Sequence, residues 1–287
     1  MNSANETTPL KTVKENEKGQ ANMAHKLENG QGAKLTGQIW QLALPLSIVA
    51  VLVIIWQVSV QTLKIPEAIL PTPLKIIDTI ILRYELLFQH TWPTTKECLI
   101  GFVLAVGVGV GLGILLALSR LFRTGVYPLI VAFQVVPKVA LAPLFIVWFG
   151  LGTTSRILLA FVIAFFPMVV NTLAGIQSTD PLMIRMARAC NASRWQIFWK
   201  IEFPNALPYI FSGLKIGITF AVIGIIVAEF VTAQEGLGYL IVFSEGNVDT
   251  PLLMAALTIL SIVGVILYAV VVGLQKLFIR WDVGQVI

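Results

Sequence analysis

The sequence predicts an all-α integral membrane protein with six transmembrane helices, and three observations carry that prediction. The 287-residue chain is 57% hydrophobic and only 12% charged, with a mean hydropathy of +0.85, well outside the composition of soluble domains. Its apolar residues fall in discrete runs of the length a hydrocarbon core demands, about 20 residues of helix. Its cations are distributed unequally between alternate loops. The runs are Trp40–Thr62, Thr94–Leu118, Val126–Phe149, Arg156–Ile176, Ala206–Val231 and Pro251–Lys276. Each must be helical, because unpaired backbone groups in lipid are costly.

With the N-terminus placed inside, the inner segments hold Lys11, Lys14, Lys18, Lys26, Lys34, Arg120, Arg123, Arg185, Arg188, Arg194, Lys200, Lys276 and Arg280. The outer segments hold only Lys64, Lys75, Arg83, Lys96 and Arg156. The positive-inside bias then puts both termini in the cytoplasm, and Trp40, Trp92, Trp148 and Trp281 fall at span ends as an interfacial belt requires. The net charge of +5 is thereby accounted for without a nucleic-acid partner. Residues 1–38 are polar, lack an h-region and show no apolar periodicity. They are expected to form a disordered cytoplasmic tail, with the first span as the insertion signal. The transmembrane domain is expected to occupy residues 39–281.

After the first span, the outer segment Leu63–Pro93 is punctuated by Pro66, Pro71, Pro73 and Pro93. Within it, Leu74–Phe88 repeats apolar residues at helical spacing, predicting one amphipathic helix that packs on the bundle or receives a partner. The second span carries Gly101, Gly107, Gly109, Gly111 and Gly113, and spacing of this kind lets helix backbones approach closely. No G-x-x-x-x-G-K-[ST] phosphate loop is present, so any ATP chemistry belongs to other subunits.

The third span is interrupted by Pro128, Pro137 and Pro143, with Lys138 near its middle. A lysine there costs about 2.5–3.5 kcal/mol on insertion scales. Two readings stand: a counter-charge on a translocation pathway, or a structural cation that pairs with Glu229 or snorkels. Gln134, Asn171 and Thr219 are further polar residues at membrane depth, and with Lys138 and Glu229 they are the pathway candidates; interhelical bonding is the alternative for each. Lys215 is expected to snorkel inward from the fifth span. Gln234-Glu235-Gly236-Leu237-Gly238 reads as a tight turn between the last two spans.

The chain lacks the residues of an intramembrane enzyme. There is no H-E-x-x-H, and the only histidines, His25 and His90, cannot form a metal cluster or a nucleophile pair with Cys98 and Cys190. The two cysteines are expected at opposite membrane faces, too far apart to bond.

Ser178–Pro208 is a polar island between two apolar runs, with Arg185, Arg188, Arg194 and Lys200 against Asp180 and Glu202. Asp180 before Pro181 predicts an N-cap. The helix Pro181–Cys190 would end at a left-handed Asn191, and a second short helix, Ser193–Ile201, would run to a break at Pro204 and Pro208. Two short helices joined by a tight turn form a docking surface, where a connector would need fewer residues.

Ala187-Arg188, Asn191–Phe198 and Phe203–Pro208 resemble the EAA coupling loop of binding-protein-dependent ABC importer permeases. Gln134–Gly150 and Ala228–Ile241 resemble the sulfonate, taurine, nitrate and pyrimidine-precursor (SsuC/TauC-like) subgroup of that family, and the resemblance extends over about residues 40–280. The loop departs from the pattern at Arg185, where the family has Glu, and at Asn191, where it has Gly. The resemblance implies a type I ABC importer permease fold in a bacterial cytoplasmic membrane. It implies two cytoplasmic ATPase subunits that bind ATP and Mg, each clasping loop 178–205 through Arg185, Ala187, Arg188, Asn191, Ala192, Ser193, Arg194 and Trp195. It implies a second permease copy, in a homodimer, and an extracytoplasmic solute-binding protein facing an outer gate at Gly236, Leu237 and Gly238. No cofactor is expected in this chain itself. An ATP-independent secondary transporter is the alternative; against it, no inverted repeat is visible, and Glu229 is the only deep carboxylate candidate.

Overall fold

The computed structural model describes residues 44–279 except residue 233. The tail 1–38, Trp40 and Trp281 lie outside the described residues. The chain divides into two units at Lys64/Ile65. The first contains α1 (Leu44–Thr62), a single apolar helix of 19 residues.

In the second unit, α2 (Pro73–Leu82) starts where Thr72 caps it, the Thr72 hydroxyl oxygen accepting from Lys75 N–H at 3.2 Å. The chain breaks at Arg83, whose guanidinium pairs with Asp249 at 2.5 Å. The single outer helix expected over Leu74–Phe88 is therefore two. Tyr84–Phe88 belong instead to α3 (Tyr84–Leu118), a helix of 35 residues. At 1.5 Å per residue α3 is about 52 Å long, so it projects well beyond a core of about 30 Å.

The third apolar run is broken as its prolines require. α4 (Arg120–Val135) gives way at Val136 to an extended residue ahead of Pro137, the conformation a following proline imposes. After the 3-10 turn Lys138–Leu141, α5 (Ala142–Phe149) leaves at 90° to α4. α6 (Thr153–Gln177) leads into the polar island, α7 (Pro181–Ala189) and the four-residue α8 (Arg194–Ile197). The break expected at Pro204 and Pro208 does not occur: Arg194 to Val231 runs as one rod. A π turn at Phe198–Glu202, closed by Phe203 N–H to Phe198 O, widens the helix just before Pro204. That extra residue removes the clash a proline makes with the carbonyl four residues back. α9 (Phe203–Thr232) follows. α10 (Leu237–Gly246), ten residues where only a turn was expected, is too short to span, and α11 (Thr250–Phe278) is the last span. Among the described residues five helices can cross a membrane, or six when the bent pair counts as one.

α6 is the hub, gripped by α3 on one side and α9 on the other. The glycines of α3 divide into two faces. A Cβ at Gly101 would lie 2.9 Å from Ala160 Cβ, at Gly109 2.5 Å from Met168 Cβ, and at Gly113 2.6 Å from Thr172 Cβ, whereas Gly107 and Gly111 face open space. Gly101, Ala105, Gly109 and Gly113 thus form one close-contact stripe at four-residue spacing. Gly113→Leu is expected to destabilise the detergent-solubilised protein by about 1–3 kcal/mol, as overpacking does. Gly111→Leu is expected to leave its thermal midpoint unchanged, and equal midpoints for the two variants would remove the stripe.

Candidate functional site

The candidate functional residues form one group at each end of α6. At the C-terminal end Asp180 accepts from Leu182 N–H at 2.8 Å and opens α7. The helix closes with Asn191 N–H donating to Arg188 O at 2.9 Å and Ala192 N–H to Ala187 O at 3.0 Å. Asn191 takes φ +61°, the left-handed residue of a Schellman closure. Ser193 and Gln196 then form a reciprocal capping box: Gln196 N–H donates to Ser193 Oγ at 3.3 Å, and Ser193 N–H to Gln196 Oε1 at 2.8 Å.

This loop is bolted to the spans. Asn205 Nδ2 donates to Ser178 Oγ at 3.2 Å and to Thr179 Oγ1 at 3.3 Å. Arg194 Nη2 donates to Leu118 O, the end of α3, at 2.8 Å. Phe198 is buried among Ile176, Ala206 and Ile210 and touches the rings of Trp195, Trp199 and Phe203. By contrast no residue of α7 is buried. Leu182, Met183 and Met186 are 53–69% exposed and occupy one arc of the helix, next to the exposed Arg185 and Arg188; Trp195 is exposed by 66%. A rigidly mounted helix therefore presents an apolar arc edged by cations to its surroundings.

At the N-terminal end of α6 lies a buried polar cluster. Arg156 is 4% exposed and donates to Glu97 of α3 at 2.6 Å and to Glu235 at 3.3 Å. Glu229 of α9 is 1% exposed; Thr94 Oγ1 donates to one of its oxygens at 2.7 Å, and Gly238 N–H to the other at 2.7 Å. Leu237 N–H donates to Thr94 Oγ1 at 2.8 Å, and Gly236 N–H to His90 Nδ1 at 3.1 Å. Gly236 has φ +106°, and a Cβ there would strike the Glu229 carboxylate, so only glycine serves. Loop 234–238 is thus latched onto α3, α6 and α9 through backbone amides and two buried acids.

The pathway candidates do not converge. Lys138 Nζ donates to Gln134 O at 3.1 Å and lies 4.8 Å from the centre of the Phe166 ring. It makes no ion pair with Glu229, which is engaged in the latch. Asn171 bonds within its own helix, to Pro167 O at 2.8 Å. Thr219 faces a groove between α9 and α11. The reading of Glu229 as the only deep carboxylate also fails, since Glu97 is as deeply buried.

The model of the binding-protein-dependent transport system inner membrane component matches residues 109–281. The chain belongs to that family. This permease is 39% identical to the riboflavin transport system permease protein RibX of Chloroflexus aurantiacus over 243 residues, 84% of this chain and 90% of the relative. It is 33% identical to the formylaminopyrimidine transport permease protein ThiX of Halalkalibacterium halodurans over 247 residues, with 86% and 98% covered. It is 30% identical to the taurine transport system permease protein TauC of Escherichia coli over 253 residues, with 86% and 92% covered. The subgroup resemblance read from the sequence is therefore correct. In fold, it matches an inward facing conformation of the MetNI methionine ABC transporter with a TM-score of 0.59 at 21% identity, over 68% of this chain and 97% of that one. The permease has the type I importer fold and is a multi-pass membrane transport subunit rather than an enzyme.

The sequence reading does not single out Leu182, Met183 and Met186, whose spacing of one and four is the available signal. Nor does it single out His90, Thr94, Glu97 and Arg156 as a cluster: Glu97 follows Lys96 at the polar start of its run, and Arg156 begins its own, so each reads as a residue of a span end. Removing one member of a buried ion pair costs about 3–5 kcal/mol, whereas removing both costs far less. Arg156→Met is therefore expected to collapse the folded yield measured by fluorescence-detected gel filtration, and Glu97→Gln/Arg156→Met to recover most of it. A double variant no better than the single would mean the pair carries no coupling.

Proposed function

We propose that this permease is the membrane subunit of an ATP-driven importer, in which two identical copies pair around one pathway and two cytoplasmic ATPases each clasp one loop 178–205. The observation that carries the reading is α7: a helix with no buried side chain, presenting Leu182, Met183 and Met186 beside Arg185 and Arg188, while its flanks are fastened to α3 and α9. Exposed apolar side chains on a rigid mount fit a groove in a partner better than they fit water. ATP and Mg would be held by the partners, and closure of the ATPase pair would draw the two α7 helices together.

In this scheme the loop transmits a population shift between inward- and outward-facing states. Converting 1:99 to 99:1 takes about 5.5 kcal/mol, within reach of ATP binding at two sites. The cation count favours a cytoplasmic side for both termini, and Gly236, Leu237 and Gly238 would belong to an outer gate facing a solute-binding protein. The solute is a small anionic or heterocyclic molecule, a class that includes the riboflavin, formylaminopyrimidine and taurine named for the relatives. Gln134, Lys138 and Thr219 are the pathway residues this reading retains.

The test is affinity purification of the tagged protein from its native membrane in detergent, with mass spectrometry of its companions. A stoichiometric ATPase is expected with the native chain. Interface anchors of this kind are worth about 2 kcal/mol or more, so Leu182→Ser/Met186→Ser is expected to lose most of that ATPase while still inserting. A homo-oligomer without ATPase would favour the secondary transporter.

Lys138→Met supplies a separate check. It is expected to slow uptake of an anionic solute severalfold while the ATPase of the assembled complex continues. Unchanged uptake would make Lys138 a structural cation, held by Gln134 O and Phe166.

A further inference from the structure

Between α9 and α11 the surface is hollowed by two adjoining cavities of about 380 and 400 Å³, which share Thr219 and Tyr268. Both linings are mainly apolar, but the first, which includes Ile216 and Phe220, also carries Lys215 and Ser212, whereas the second is walled by Val222, Ile223, Ile226, Leu260 and Val265. Gly264 keeps the second open, since a Cβ there would meet only Val222, at 3.9 Å.

Lys215 is the exceptional residue. It lies twelve residues into α9, about 18 Å from the start of that helix, and inside the fifth apolar run. The ion pairs among the described residues are Lys75–Glu67, Arg83–Asp249 and Arg156 with Glu97 and Glu235; Lys215 belongs to none. The hydroxyl protons beside it are already committed, Ser212 to Pro208 O at 3.0 Å and Thr219 to Lys215 O at 3.1 Å. An ammonium within an apolar span that has no acid partner among the described residues is available to a ligand.

We propose that the α9–α11 groove is a solute subsite of the pathway for a small organic anion, the Lys215 ammonium receiving its charged group and the Val222–Val265 half its apolar body. The proposal rests on the importer reading and narrows its solute class. Tyr268 stands at the junction of the two halves, where its ring covers the ligand and its hydroxyl supplies a donor. Affinity here is weak by construction: one cation and one hydroxyl hold the solute, and both cavities are open on one side, so release needs no large rearrangement.

The test uses the full chain in membrane vesicles and needs no knowledge of the solute. Cys190, which is exposed, is replaced by Ser, while Cys98 is buried and stays; Thr219→Cys supplies the probe thiol. Its modification is timed with the anionic sulfonatoethyl and the cationic trimethylammonioethyl methanethiosulfonates. The anionic reagent is expected to react about tenfold faster, the scale on which a charged cleft focuses its counter-ion. Lys215→Gln is expected to abolish the preference and Lys215→Arg to keep it. Reaction with neither reagent would show a groove sealed by lipid, and a preference that survives Lys215→Gln would have another source; either result overturns the proposal. Co-purification of the ATPase from the same vesicles is scored separately. An ATPase-bound chain without charge preference keeps the importer and loses the subsite, and the reverse result does the opposite.

Discussion

The approach of α6 to both of its neighbours is the constraint on which the rest depends. Ala160 is fully buried because Gly101 faces it from α3 and Gly224 from α9; Met168 is held in the same way by Gly109 and Gly217, and Thr172 lies against Gly113. In lipid there is no hydrophobic force between apolar helices, so association depends on how closely backbones can come and on the dispersion contacts that follow. Small residues on α3 and α9 let larger ones on α6 sink between them. The gripped helix cannot roll or slide against one partner without opening contacts with the other. Gly175, where a Cβ would sit 2.7 Å from Tyr209 Cβ, continues the contact to the very end of α6.

Because α6 is held along its length, its two ends act on one body. Ser178 and Thr179, just beyond its C-terminus, are clipped by Asn205, and Arg156, three residues into its N-terminal turn, is clipped by Glu97 and Glu235. In the proposed scheme a push on α7 would reach the latch as a rigid-body displacement, with no need for a chain of side-chain rotations. The latch is incompletely bonded. Glu97 Oε2 and Arg156 Nε are buried without a hydrogen-bond partner among the described residues. An incompletely satisfied buried pair holds one arrangement without making it deep, and so can release it. The 90° break between α4 and α5 supplies the contrasting soft element: the segment from Phe133 to Leu141 is largely exposed, and nothing grips it from two sides.

Much of this was legible in the sequence. Run length matched α6 and α11 within a few residues but missed the first ten residues of α3 and the extension of the fifth span back to Arg194. Asp180-Pro181 and Asn191 gave both ends of α7, and the prolines gave the broken third span. What was not legible shares a cause. The continuity of α8 with α9 depends on a π turn, which leaves no residue signature and cancels the usual meaning of Pro204 and Pro208. α10 falls between the last two apolar runs, and its ten residues are too few to register as a span, so Gly236-Leu237-Gly238 reads only as a turn. The division of the α3 glycines into packed and open faces needed the position of α6. The Glu97–Arg156 pair joins residues 59 positions apart, and no local pattern marks a partner at that distance.

The placement of charge in depth explains why solute recognition falls to so sparse a site. Arg156 and Glu229 are buried and bonded to protein groups, so a solute could engage them only by displacing those bonds. Lys138 is partly quenched by Gln134 O and the face of Phe166. Lys215 faces an open, mainly apolar cavity and has no counter-ion among the described residues. A transport pathway must bind its solute enough to admit it and too weakly to keep it, and an unshared ammonium beside a shallow apolar wall meets both requirements. A buried cluster of paired charges, of the kind at the latch, would meet only the first. The proposed division of labour follows from burial: deep, paired charges would hold the conformation, and the half-buried, unpaired one would meet the cargo.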